Sequence, residues 1–129
     1  MTRRLALTSG AVFGGVSVVA GAFGAHMLKD SLTPHFLAVF ETAVRYQMYH
    51  AMALLITGLA MTNGSSSVFQ KSAWGFLVGI LLFSGSLYGV SLSGVSWLGA
   101  ITPLGGASFI FGWVCLVIGF VQEPRPVQR

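Results

Sequence analysis

Thr33–Thr62 reads T-P-H-F-L-A-V-F-E-T-A-V-R-Y-Q-M-Y-H-A-M-A-L-L-I-T-G-L-A-M-T, and this stretch decides how the chain is read. Threonine followed by proline is a helix start: the hydroxyl can accept from an orphan amide, and proline at the first helical position has no amide to leave unpaired. From Pro34 to Met61 such a helix would be about 42 Å long at 1.5 Å per residue, more than a bilayer core of about 30 Å requires. It is apolar over most of its length, yet Glu41, Arg45, Gln47 and His50 fall within three turns of one another. At 100° per residue Glu41, Arg45, Met48 and Met52 share a face with Tyr49 on its edge, while Tyr46, Gln47 and His50 point the other way. Glu41 precedes Arg45 by four, the favourable order for an ion pair along a helix. Counting about 20 residues back from Met61 puts the membrane entrance near Thr42, so Glu41 and Arg45 straddle the interface and His50 lies deeper. The expectation for His50 is a neutral side chain buried against the first or third helix, near Tyr88 or the serines.

Working outward, the other long segments carry almost nothing ionisable. The chain has 129 residues, is 54% hydrophobic and only 8% charged, and has a mean hydropathy of +0.79. A soluble domain of this size has too little interior to hide so much apolar surface, so the composition implies an all-α integral membrane protein. Helices are expected at about 5–28, 34–61, 72–92 and 97–121, forming a four-helix transmembrane bundle over residues 1–121 with a disordered tail at 122–129. The first run follows Arg3 and Arg4, which also suit a signal peptide; Ala20-Gly21-Ala22 imitates a cleavage site, and Thr2-Arg3-Arg4 faintly resembles a twin-arginine start. Length and glycine content favour a retained helix. Gly10/Gly14, Ser17/Gly21, Gly75/Gly79 and Gly85/Gly89 are each four apart, a spacing that lets helix backbones approach in lipid. Asn63 to Ser67 reads as a polar loop, closed by Gln70 and Lys71 before the third helix. Ser93 to Ser96 reads as a turn, Trp97 as an interfacial anchor, and Thr102-Pro103 as a second helix start.

Charge sets the expected orientation. With four spans, Arg3, Arg4, Lys71, Arg125 and Arg129 fall on one side and only Lys29 and Arg45 on the other, which places both termini in the cytoplasm, across a bacterial inner membrane. The formal charge of +4 is scattered singly and gives no track for nucleic acid. Cys115 has no second cysteine to pair with and reads as a small buried hydrophobe.

Four blocks carry a resemblance: G-A-F-G-A-H ending at His26, Y-Q-M-Y-H-A-M-A-L-L from Tyr46, L-F-S-G-S-L-Y ending at Tyr88, and W-L-G-A-I-T-P-L-G-G from Trp97 with the following Gly112-Trp113. Together they resemble the signatures of the YgdD-like family, small four-helix membrane proteins that include human transmembrane protein 256. The resemblance implies a four-helix membrane protein and no activity; His26, Tyr46, Gln47, His50, Ser84, Tyr88, Thr102 and Pro103 carry over as motif positions.

No H-E-x-x-H, C-x-x-C, phosphate loop or nucleophile elbow is present, and three acidic residues leave little for paired-carboxylate chemistry. His26 and His50 alone are a weak haem or metal signal, so no cofactor and no enzymatic activity are expected. The candidate polar centre is His26, Glu41, Arg45, Tyr46, Gln47, His50, Ser84 and Tyr88. Two classes of function remain open. One is a structural or accessory bundle in contact with the lipid bilayer, packing against copies of itself or a larger membrane complex. The other is a small transport, proton-coupling or lipid-binding unit working through His50, Glu41 and Arg45.

Overall fold

The computed structural model describes residues 1–61 and 67–122, and within them the chain is all helix and short turns. Helix α1 is Arg3–Phe23, continued by a π turn at Gly24–Leu28. It starts two residues before the expected position because Thr2 caps it, its Oγ1 accepting from the Leu5 amide at 3.2 Å. Helix α2 is Pro34–Ala60, and Thr33 caps it by accepting from the Phe36 amide.

Helix α3, Ser67–Gly79, passes through a π turn at Ile80–Ser84 directly into α4, Gly85–Ser93. This is a correction: the third helix begins at Ser67 rather than Ser72, and Gln70 and Lys71 lie inside it. The physical reason is Phe69, which is buried against Gly119 and so gives the added turn a packing contact. The rest of the expected Asn63–Ser67 loop falls outside the described residues, as does the tail beyond Gln122. At the end of α4, Gly94 adopts φ +73°, the left-handed cap that glycine accepts without a steric penalty. A 3₁₀ turn at Ser96–Ala100 then leads into α5, Thr102–Gln122. Here Thr102 does not act as the cap; its hydroxyl lies 2.7 Å from that of Ser86 and ties α5 to α4.

Three of these helical stretches, Arg3–Leu28, Ser67–Ser93 and Ser96–Gln122, are long and apolar enough to cross a membrane. Helix α2 is as long, but the polar residues between Glu41 and His50 set it apart in composition. Length and apolar composition thus mark three candidate spans, where the sequence reading expects four.

The helices form two antiparallel pairs joined through α2. Helix α1 packs almost wholly on α2, α5 packs on α3, and α2 leans on α3, α4 and the π turn between them. The α3–α5 seam has a seven-residue register that the four-residue spacings within each helix do not show. Phe69, Phe76 and Phe83 recur every seven residues on one side, and Gly119, Gly112 and Gly105 recur every seven on the other. Each phenylalanine sits against one glycine: a methyl on Gly119 or Gly112 would lie 2.6 or 2.8 Å from a ring carbon of Phe69 or Phe76, and one on Gly105 would strike the Phe83 backbone. Ser72 Oγ donates to the Gly112 carbonyl and Ser108 Oγ to the Gly75 carbonyl, both at 2.8 Å, so the two backbones are tied in both directions.

The expected glycine pairs divide. Gly75 and Gly79 face Gly112 and Phe109, Gly10 faces Ala51 and Leu55, Gly21 touches Val44, and Gly89 faces Leu98. A methyl on Gly14 or Gly85 would meet nothing within 4 Å from another helix, so neither makes the close approach its spacing suggests.

Candidate functional site

The polar residues of α2 fall into two groups with different surroundings. The first is internal. Gln47 is 3% exposed and its amide is used at both ends: Nε2 donates to the Phe13 carbonyl on α1 at 2.9 Å, and Oε1 accepts from the Tyr88 hydroxyl on α4 at 3.0 Å. The same Phe13 carbonyl accepts from Ser17 Oγ, one turn along α1. Ser84, fully buried at the end of the π turn, donates to the Ala43 carbonyl of α2 at 2.9 Å. One amide and two hydroxyls thus hold α1, α2 and the α3–α4 rod together.

His50, 5% exposed, makes the next connection. Its Nδ1 lies 2.7 Å from the Tyr46 carbonyl, and its Nε2 lies 3.2 Å from Trp113 Nε1 on α5. A carbonyl can only accept and an indole N–H can only donate. The hydrogen-bond pattern therefore assigns the neutral tautomer with the proton on Nδ1. The ring lies flat on Phe109, centroids 3.4 Å apart and planes within 8°, with Phe76 and Tyr46 around it. This corrects the expected neighbours: His50 packs against α3 and α5 rather than α1, and its partner is Trp113, not Tyr88 or a serine. Trp113 enters the sequence reading only as part of the Gly112-Trp113 block, because no local signal pairs an indole with a histidine 63 residues away.

The second group is peripheral. Glu41 and Arg45 are both exposed, and despite their four-residue spacing Arg45 Nη2 reaches Thr42 Oγ1, at 3.5 Å, rather than the carboxylate. With Gly21, Gly24, Phe40 and Val44 they line a cleft of about 170 Å³ formed by α1 and α2 alone. Tyr46 is 39% exposed and stacks on Phe83 between the two groups. His26 joins neither group. It is exposed on the π turn, and because Gly24 lies against Phe40, it sits about ten residues, or 15 Å at 1.5 Å per residue, along α2 from His50. A site shared by these two histidines is thereby ruled out, and among the described residues no three His, Cys, Asp or Glu side chains come together as metal ligands.

Every buried side-chain polar atom among the described residues has a hydrogen-bond partner. Among the described residues the interior polar groups are engaged in bonds within and between helices, and no acid, base and nucleophile converge on a common point. A family model described as "Protein of unknown function (DUF423)" matches residues 20–106. The chain belongs to the DUF423 family. It is similar to UPF0382 membrane protein SAB0533 of Staphylococcus aureus (strain bovine RF122), 44% identical over 115 residues that cover 89% of this chain and 93% of the relative. A UPF0382 membrane protein of Staphylococcus epidermidis is 47% identical over 113 residues, covering 88% and 92%. UPF0382 membrane protein YwdK of Bacillus subtilis is 43% identical over 115 residues, covering 88% and 93%. No solved structure matches the chain. This DUF423 chain is a membrane protein of an uncharacterised family, with helices able to cross a bilayer.

Proposed function

We propose that this DUF423 protein is a non-enzymatic structural or accessory bundle of the bacterial inner membrane, with α2 as a fourth span and both termini in the cytoplasm. We further infer kinship with the YgdD-like proteins and human transmembrane protein 256, carried by the four sequence blocks around His26, His50, Tyr88 and Thr102. The spanning reading of α2 draws on its partners. Gln47 and His50 turn inward and are bonded to helices on both sides, so neither is presented to lipid, where an unpaired polar group would cost several kcal/mol.

The observation that carries the functional reading is that both nitrogens of His50 and both ends of the Gln47 amide are already occupied, His50 Nδ1 by the Tyr46 carbonyl of its own helix and the other three by neighbouring helices. Side chains so engaged act as clamps that fix helix register. Reconstitution in liposomes tests this: the bundle should pass no proton current, and His50→Leu should lower thermal stability. A proton flux that vanishes in His50→Leu while stability is kept would overturn the structural reading in favour of proton coupling. One observation favours a second class of function. Glu41 and Arg45 line an open cleft without pairing with each other, which suits a lipid-binding role.

A further inference from the structure

We propose that the α1–α2 cleft holds the headgroup of a phospholipid in which a phosphodiester is joined to a primary ammonium, as in phosphatidylethanolamine, with Arg45 taking the phosphate and Glu41 the ammonium. The inference deepens the lipid-binding class above and rests on α2 crossing the bilayer.

Three features lead to it. The first is chemical: a carboxylate and a guanidinium line the same cleft, and neither is neutralised by the other. A ligand of one charge sign would satisfy one and repel the other, whereas a zwitterion satisfies both. The guanidinium presents a planar fork that matches phosphate oxygens, and a carboxylate accepts the short, strong bonds of an N–H⁺ donor.

The second is the order of the two charges. Glu41 lies one turn, about 6 Å, nearer the start of α2 than Arg45. Counted back from the far end of the helix, the membrane boundary falls at Thr42, between them. In a phospholipid of this class the ammonium is outermost, the phosphate follows, and glycerol and acyl chains lie deeper. The protein presents the complementary sequence along α2: Glu41, then Arg45, with the apolar Val44 and Gly21 forming the wall beside them.

The third is selectivity. A larger groove between α1 and α4 is lined by Val16, Val19, Phe23 and Leu92 and offers acyl chains an apolar surface, with no charged group in its lining. Of these two, the Glu41–Arg45 cleft is the one with the means to choose among headgroups.

The test compares phosphatidylethanolamine, phosphatidylcholine and phosphatidylglycerol as probes of the full-length protein in detergent, by lipid retention in native mass spectrometry and by thermal shift. The first should be held at least about tenfold more tightly than the other two, since a trimethylammonium offers Glu41 no N–H and a glycerol headgroup offers it no charge. Glu41→Gln should abolish the preference for phosphatidylethanolamine over phosphatidylglycerol while both are still bound, and Arg45→Gln should weaken all three. Equal retention of the three by the wild-type protein overturns the proposal without recourse to any variant. Glycerophosphoethanolamine, which has the headgroup but no chains, should fail to displace the lipid at equal concentration; displacement would mean a soluble ligand and end the lipid assignment. If Glu41→Arg and Arg45→Glu chains are each monomeric alone but co-purify when expressed together, the charged face belongs to a second copy and the proposal is likewise overturned. The underlying topology is read separately. A reporter inserted at Asn63 that maps to the same side as Asp30 would remove the spanning reading itself, whereas lipid results that fail with opposite sides preserved remove only the headgroup.

Discussion

At the scale of single residues, the interior polar groups matter less for what they bear than for what they touch. Gln47→Leu should cost about 1–3 kcal/mol, because it leaves the Tyr88 hydroxyl with an unmade bond in an apolar setting and takes from the Phe13 carbonyl one of its two side-chain donors. Adding Tyr88→Phe should recover part of the loss, since removing both partners is cheaper than orphaning one. Thermal unfolding of the two single variants and the double variant in one detergent measures this, and strict additivity would show that the two side chains do not act as a pair. For His50, nitrogen-15 spectra of labelled protein near neutral pH should show the Nδ1–H neutral tautomer, and Trp113→Phe should shift the Nε2 resonance. An Nε2–H tautomer in the wild-type protein would contradict the geometry. That His50 would be buried and neutral could be read from the sequence, since it lies deep on an otherwise apolar helix. Its partner could not, because interhelical pairing depends on how α2 and α5 lean on α3.

Helices tell a similar story about what one chain reveals. The starts of α1 and α2 are legible to within a turn, the first from the apolar run that follows Arg3 and Arg4 and the second from Thr33 and Pro34, which act locally. The start of α3 is not, because a contact between Phe69 and Gly119 on another helix sets it. Four-residue glycine spacing likewise identified Gly75 and Gly79 correctly and Gly14 incorrectly, since spacing says which residues can pack and not which face meets a neighbour. The seven-residue alternation of phenylalanine and glycine carries the α3–α5 seam. Gly112→Leu should therefore destabilise the bundle by about 1–3 kcal/mol or more, as an overpacked core position. Gly14→Leu should stay within about 0.5 kcal/mol of the parent. Melting temperatures of the two variants, compared side by side, decide it; equal shifts would mean that the seam is not where the packing energy lies.

On the scale of the whole molecule, the sequence made the membrane class plain, since no other home suits a chain 54% hydrophobic and 8% charged. With five Lys and Arg expected on one side against two on the other, a reporter fused to the carboxyl terminus should read cytoplasmic. An external signal would remove the four-span arrangement. The division into two pairs, α1 with α2 and α3–α4 with α5, also bears on how the protein comes to exist. A ribosome delivers the first pair before the second has been made, and helices inserted early can wait in the bilayer for later ones. During that wait Gln47 already has its carbonyl on α1, but the hydroxyl of Tyr88 and the indole of Trp113 are still unsynthesised. The nascent hairpin therefore displays two vacant acceptors, Gln47 Oε1 and His50 Nε2, toward lipid that has nothing to donate. Chains 1–66 and 67–129, encoded separately and expressed together, should find each other by those acceptors and co-purify, and the first fragment expressed alone should be cleared by membrane proteases.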